Sequence, residues 1–473
     1  MKCGVNDMTS FMFGLLMFIC LVPSVILLYI TMYPRNWRKK KRIFGVNNRE
    51  EFKNDKSEEF IDIVVNTHNK QAIAILIGII AISIPLLFVP GFTIKMIVWT
   101  VFVYISIFVI FVPYALGNSE MKKYKKCLGI VDERVLYADL KNTGNIHALN
   151  KPMLFMANIA GVLIIVLAVL IDAGLIFHLK TFEGAYILTA MTASIIATNL
   201  ILLPIAFMID NSRNEVISEN SDLNANYNRS RKKIFSDYII ILSWFNNIFS
   251  VAVTIITLLL DSEFMIVIML AVYMLVVISA TFVYAAKKLA LNRKYLTEEA
   301  KLVEDDDDYW ILGMLYYNPN DKHLNVDKRV GVGMTINMAH PVGKIISGFG
   351  VLTIVISLVS LIWIGLMSVT PIRIIENDRY VICHHLWDEY KIDKDEITAV
   401  EYGNLSDLKA TRTAGTGMEN VAKGTFAVNG KGGCKLFLNP QAGKYIKIET
   451  SDRVYYISEN TAEETESLYE KLN

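Results

Sequence analysis

Long apolar blocks separated by short polar ones set the plan of the chain. Blocks at 8–33, 71–90, 92–116, 153–177, 185–208, 238–260, 264–286 and 345–367 are each long enough to cross a hydrocarbon core as one helix. The second and third are joined only by Pro90-Gly91, which leaves room for a tight turn and nothing more. The fourth and fifth are linked through His178, Lys180 and Glu183, and the sixth and seventh through Asp261-Ser262-Glu263. The pattern predicts one leading helix, three hairpins and one trailing helix. Pro23 predicts a kink in the first helix, since it removes a backbone donor.

The polar connections carry an orientation signal. Basic runs follow the first block (Arg35–Arg42), the third (Lys122, Lys123, Lys125, Lys126), the fifth (Arg229–Lys233) and the seventh (Lys287, Lys288, Arg293, Lys294). Lys and Arg concentrate on the cytoplasmic side of bilayers, so these runs are expected inside, with the amino terminus outside. Eight spans then return the carboxyl terminus to the outside, where the net-acidic segment 368–473 is expected. Segment 44–70 has mixed charges, with Phe60, Ile63 and Val64 spaced for an amphipathic surface helix or a plain solvated connector. Segment 128–140 fits short strands or a short helix. Segment 210–237 is rich in Asn and Ser and reads as a flexible loop.

Two stretches are not hydrocarbon. The first, 305–343, separates the seven-helix block (1–304) from the eighth span and begins with four acids, Asp305–Asp308. Such a run fits either a divalent-cation site or a solvated linker. After it come Tyr309, Trp310, Gly313, Tyr316, Tyr317, a turn at Asn318-Pro319-Asn320-Asp321, then Gly331, Gly333 and Asn337. Backbone N–H groups of the turn and of the two later glycines could cradle a ligand. Alternatively, the stretch folds as a turn-rich module with its aromatics at headgroup level.

The second, 368–473, alternates as strands do. Two strands flank a turn at Asn377-Asp378, and Tyr390–Tyr402 gives a strand, a turn and another strand. Further strands are expected at Thr425–Asn429, Cys434–Phe437, Tyr445–Thr450 and Arg453–Ser458. Thr461 followed three residues later by Glu464 is a capping box opening a final helix. The fold class expected is therefore a polytopic α-helical bundle plus a small β-barrel or sandwich closed by one C-terminal helix.

Composition narrows the function classes. The chain is 53% hydrophobic and 20% charged with net charge +1, so no global field favours nucleic acid. Five scattered cysteines form no CxxC pair. Cys383 and Cys434 could join as a disulfide if their strands meet outside the cell. Cys383-His384-His385 carries ligand chemistry, but neighbours on a strand face opposite ways. No HExxH, P-loop or GxSxG is present. Polar residues inside the spans are few. Asn246-Asn247 is expected to hydrogen-bond between helices, and the scarcity of buried acids counts against proton-driven transport. No cofactor and no metal is expected.

On the pattern YW-x2-G-x2-YYNP-x-D at Tyr309–Asp321, with Val326, Lys328-Arg329, Gly331, Gly333, Thr335 and Asn337, the stretch 307–339 resembles a domain of unknown function in multi-pass membrane proteins of Gram-positive bacteria. Phe44-Gly45-Val46 resembles the same proteins. They are distantly similar to membrane immunity proteins against the Sdp-type peptide toxin, though this chain departs from that group's His/Asn-Pro extracytoplasmic signature. The C-terminal segment resembles bacterial pleckstrin-homology (PH) domains at Asp395-Glu396-Ile397, Gly415–Gly417, Gly424-Thr425-Phe426 and Ile446–Thr450. The resemblance implies a fold, not phosphoinositide binding. The combined expectation is a non-enzymatic protein of the bacterial plasma membrane, sensing the envelope or conferring peptide immunity. Its expected partners are membrane lipids and a protein or peptide held by the PH-like module. A transporter or channel for an apolar or peptide cargo is the second expectation.

Overall fold

The computed structural model describes residues 7–33, 36–130, 144, 146–176, 187–212, 214–260, 263–295, 306–330, 333–429 and 431–472. Among the described residues, eight helices are long and apolar enough to cross a membrane. They are α1 (Asp7–Met32), α2 (Asp55–Leu86), α3 (Phe92–Cys127), α4 (Lys151–Asp172), α5 (Ile187–Asp210), α6 (Ser221–Leu260), α7 (Glu263–Tyr295) and α8 (Pro341–Val369). Two compact units divide the chain. One takes Met1–Leu15, Pro85–Phe102 and Leu352–Asn473; the other takes Leu16–Ile84 and Val103–Val351.

Within the larger unit, α4, α5, α6 and α7 pack in sequence, and α4 also lies against α6. Several helices outrun their apolar blocks. Helix α2 starts at Asp55, so 55–70 is neither a surface helix nor a connector but the first half of a span-bearing helix. The reason is a buried stripe, Ile61, Val64, Val65, His68 and Ala72, at helical spacing. This stripe packs with Tyr33, Trp37, Phe44, Phe52, Tyr114 and Met121 in one apolar core. Helix α6 starts at Ser221 and runs 40 residues, so 221–237 is not a loop. Its asparagines are used, not solvated. Asn224 Oδ1 accepts from Ile217 N and Ser218 N, and Asn228 grips both backbone groups of Glu215. One helical face thus docks the 214–220 connection onto itself.

Among the described residues, three small hairpins lie in the same unit. The first pairs β1 (Arg42–Ile43) with β2 (Val46–Asn47). The second pairs β3 (Trp310–Ile311) with β4 (Leu315–Tyr316), and the third pairs β5 (Asn325–Asp327) with β6 (Met334–Ile336). The expected short elements over 128–140 fall outside the described residues from 131 onward, as do the links around His178 and Asp261.

The smaller unit contains the C-terminal domain. Its strands are β7 (Arg373–Glu376), β8 (Tyr380–His385), β9 (Asp388–Asp393), β10 (Ile397–Asn404), β11 (Ala410–Gly417), β12 (Ala422–Val428), β13 (Lys431–Leu438), β14 (Lys444–Thr450) and β15 (Val454–Ile457). They form a three-stranded sheet, β7-β8-β9, and a six-stranded sheet in the order β10-β14-β15-β13-β12-β11. Strand β11, with its Ala, Thr and Gly, carries no alternation and is not among the expected strands. Both faces of the larger sheet are covered. Phe437, Ile446 and Ile448 pack with Val381, Cys383 and Leu468, whereas Phe426, Cys434 and Leu436 pack with Leu405 and Leu408. Cys383 and Cys434 therefore belong to separate cores on opposite faces, and no disulfide joins them.

Helix α9 (Ala462–Leu472) closes the domain. Its capping box is complete: Glu464 N donates to Thr461 Oγ1 and Thr461 N donates to Glu464 Oε2, each at 3.2 Å. Thr461→Ala should cost about 1 kcal/mol. The expected readout is faster hydrogen exchange at the amides of Ala462–Glu464, with the β-sheet amides unchanged.

Candidate functional site

The expected signature residues fold into a tight module gripped by distant segments of the same unit. Trp310 is buried and packs against Tyr316 at 5.0 Å between ring centres, the two rings tilted by 46°. Its indole N–H donates to Asp306 Oδ2 at 2.9 Å, and the Arg329 guanidinium lies 5.0 Å over its ring. Tyr316 donates its hydroxyl proton to Asp321 and accepts from Asn318 Nδ2. Asn337 is the clamp. Its Oδ1 accepts from Asn318 N and Ala339 N, and its Nδ2 donates to the carbonyls of Asn318 and Asp321. The Asn318–Asp321 turn therefore spends its polar groups inward.

The other signature residues are placed differently. Tyr309 accepts from Asn320 at its hydroxyl, and Tyr317 is exposed. Pro319 sits on the exposed turn. Gly333 O accepts from Lys328 N and from Lys288 of α7. Gly331 lies outside the described residues.

At Gly313 two sequence-distant segments meet. It has φ +69° and sits against the Phe44-Gly45 turn; a Cβ there would fall 2.9 Å from Phe44 O and 2.7 Å from Asn118 Nδ2. Gly45 has φ +80°, and a Cβ on it would meet Gly313 Cα at 2.9 Å. Asn118 of α3 donates to Phe44 O at 2.7 Å, fixing the turn to the helix. Phe44 itself takes φ +45°, a left-handed conformation that costs about 1–2 kcal/mol. Its buried ring packs on Tyr33, Tyr114 and His68, and burial of an aromatic of this size offsets that cost by roughly 1.5–3 kcal/mol.

Electrostatics bind the same parts. Within the acid run, Asp306 and Asp307 are engaged by the fold, while Asp308 is exposed and Asp305 lies outside the described residues. Asp307 is 1% exposed and meets Lys125 of α3 at 2.9 Å and Arg329 at 2.5 Å. The backbone N–H of Asn47 also points to its carboxylate. Arg329 is fully buried and donates further to Asp306 and to Gly45 O. Burial would push the Asp307 carboxyl up, but Arg329 and Lys125 outweigh it and hold the group below the ordinary carboxylate value. Burial would likewise lower the Arg329 guanidinium, and Asp306 and Asp307 reverse that.

A second ionic knot ties β5 to the bundle. Arg231 of α6 bridges Glu215 at 2.8 Å and Asp327 at 3.1 Å, and Lys288 lies 3.6 Å from Asp327. Asp327 is held below its ordinary value: burial opposes this, but Arg231 and Lys288 prevail. A small cavity here is lined by Arg231, Lys232, Lys288, Asp327 and Tyr284.

The polar content of the spans, sparse by sequence, is concentrated by the fold. Asn246 Nδ2 donates to Asn199 Oδ1 and Thr198 Oγ1, and Tyr273 donates to Asn246 Oδ1. Asn247 Nδ2 donates to Ala157 O, and Asn199 Nδ2 donates to Asn247 Oδ1. Ser243, Ser250, Thr254 and Thr257 extend this buried seam along α6. The pair Asn246-Asn247 does link helices as expected. The hydroxyls at helical spacing around it were the missed signal.

Two family matches fit this geometry. Residues 372–473 match a family described as a bacterial PH domain. The C-terminal domain is PH-like. Residues 319–344 match a family of unknown function (DUF5808), which covers the Asn337 clamp and the second half of the signature. No curated protein and no solved structure matches the chain significantly. The chain is thus a multi-pass membrane protein with a PH-like binding module at its C-terminal end.

Among the described residues no group of three or more His, Cys, Asp or Glu side chains is arranged to hold a metal ion. In Cys383-His384-His385, Cys383 and His385 point to the same face of β8, and His385 is already engaged with Thr370 O and Lys423.

Proposed function

We propose that this is a non-enzymatic protein of the bacterial plasma membrane that senses the envelope or confers resistance to an antimicrobial peptide. In this reading the PH-like domain faces outward and binds a protein or peptide. The signature module faces the cytoplasm and reports the state of the helices. The observation that carries it is the use made of the signature. Trp310, Tyr316, Asn337, Asp307 and Arg329 are spent on holding the β1–β2 hairpin, α3 and β5–β6 together, which suits a mechanical link better than a reaction centre. The basic runs at the inner ends of the hairpins support the orientation.

A second reading, a transporter or channel, has one observation in its favour. Asn158 Oδ1, Ser243 Oγ and Ser250 Oγ are buried in the bundle with no hydrogen-bond partner, as the wall of a polar path would be. The two readings separate by experiment. Cells expressing the chain are expected to change their sensitivity to membrane-active peptides, and Asp307→Asn at equal protein level should abolish the change. Purified chain in proteoliposomes should move no peptide. Flux that Asn246→Leu removes would overturn the sensing reading and establish transport.

A further inference from the structure

Helix α8 and the C-terminal domain meet without a linker. The helix is apolar through Val369, and β7 begins at Arg373. The domain caps the helix with its own side chains. Asn420 Nδ2 donates to Ser368 O, and His385 Nε2 lies 3.1 Å from Thr370 O. Lys423 Nζ is 3.0 Å from His385 Nδ1, which fixes that imidazole with its proton on Nε2, toward the helix. Carbonyls orphaned at a helix end are in this way satisfied by side chains of the domain. A second clamp lies at the start of α3. Glu419 accepts from Phe92 N at 2.8 Å and Thr93 N at 3.4 Å, at the helix end that favours a carboxylate.

Held so, the turn between β8 and β9 lies along α8. Leu386 takes φ +57° at this turn, and Trp387 follows it. The Trp387 ring stacks on Trp363 of α8 at 4.8 Å with an interplanar angle of 5°. Trp387 is nonetheless 70% exposed and Trp363 42% exposed. The depth of Trp363 settles what surrounds this pair. It lies six residues before the end of a 29-residue helix, whereas the hydrocarbon needs only about 20. At 1.5 Å per residue, Trp363 stands about 9 Å inside the helix end, near the border of hydrocarbon and headgroups. Its neighbours Ile362, Leu366 and Val369 are exposed apolar side chains, as a lipid-facing surface requires.

We propose that the β8–β9 turn of the PH-like domain is a membrane-insertion element. Trp387 occupies the headgroup–acyl boundary of the leaflet at the C-terminal end of α8. The occupant of the exposed indole face is lipid, because a ring stacked on Trp363 shares its depth. Tryptophan favours that zone, with an apolar body and one polar N–H. The inference is independent of what the module binds elsewhere.

The test uses the full chain in lipid nanodiscs and compares wild type with Trp387→Phe, and with Trp387→Tyr as a second conservative variant. Tryptophan fluorescence is quenched either by lipids brominated near the headgroup end of their acyl chains or by acrylamide in the water. The emission component lost in the variants is expected to be the one quenched by bromolipid and spared by acrylamide. A lost component quenched by acrylamide and spared by bromolipid would overturn the proposal by placing Trp387 in water. A component spared by both would overturn it in favour of a protein partner over the ring.

Discussion

Asp307→Asn should lower the stability of the larger unit by about 3–5 kcal/mol, the usual result of removing one partner from a buried ion pair. The replacement is nearly isosteric, so shape is not what is lost. Lys125 is 5% exposed and Arg329 fully buried, and neither can turn to water without opening the module. The measurement is the thermal midpoint of the detergent-solubilised chain, followed by tryptophan emission, since Trp310 lies under Arg329. Asp307→Leu combined with Arg329→Met should recover part of the loss, because it removes a charge from each side. A midpoint unchanged in Asp307→Asn would mean that the cluster is not desolvated.

The same group predicts an acid limb. Its folded value lies below its unfolded value of about 3.9. The stability it contributes is therefore complete above the ordinary carboxylate range. It disappears as pH falls through the depressed folded value. Asp307→Asn should lose that limb.

Gly313→Ala and Gly45→Ala should each cost roughly 2–5 kcal/mol, combining about 1–2 for a left-handed side-chain-bearing residue with about 1–3 for overpacking. Both glycines have positive φ, and both added methyls would run into the facing turn at 2.9 Å. The neighbours are backbone atoms of Phe44 and Gly313, which cannot swing aside as a long side chain would. Gly348→Ala on α8 is the control: no atom lies within 4 Å of its added Cβ, and the backbone is helical. The expected result is module opening in the first two, seen as protease cleavage between Asp306 and Val330, and none in the third. Equal protection in all three would show that the two turns do not bear on one another.

Apolar blocks alone revealed the eight spans, because hydrocarbon imposes length and apolarity on a helix more strictly than any loop does. Span ends were less legible. Asp55–Lys70 and Ser221–Asp237 look like polar connections, and their helical character comes from stripes that only tertiary neighbours reward. The Asn-rich face of α6 misleads a composition argument for a physical reason. Asparagine disfavours helix by competing for backbone groups, but here Asn224 and Asn228 satisfy the backbone of another segment. The signature residues could be picked out in sequence, whereas their roles could not. Two of the partners of Asp307, Lys125 and Asn47, lie 182 and 260 residues earlier in the chain. The C-terminal strands alternate and were legible, apart from β11, whose small residues leave no alternation to read.

Helix α6 carries both the ionic knot at Arg231 and the amide seam around Asn246 on one uninterrupted rod. This makes the stretch between them intolerant of a change in length. Each residue inserted into an α-helix rotates everything beyond it by about 100°. One extra residue between Lys232 and Ser243 would part Arg231 from Asp327 or Asn246 from Asn199, whichever end kept its place. An insertion of four would bring the rod nearly back into phase while lengthening it by about 6 Å. Substitution can be absorbed along the lipid-facing side of this rod, but insertion and deletion cannot, so the spacing of its contacts is fixed more tightly than the identity of the residues between them.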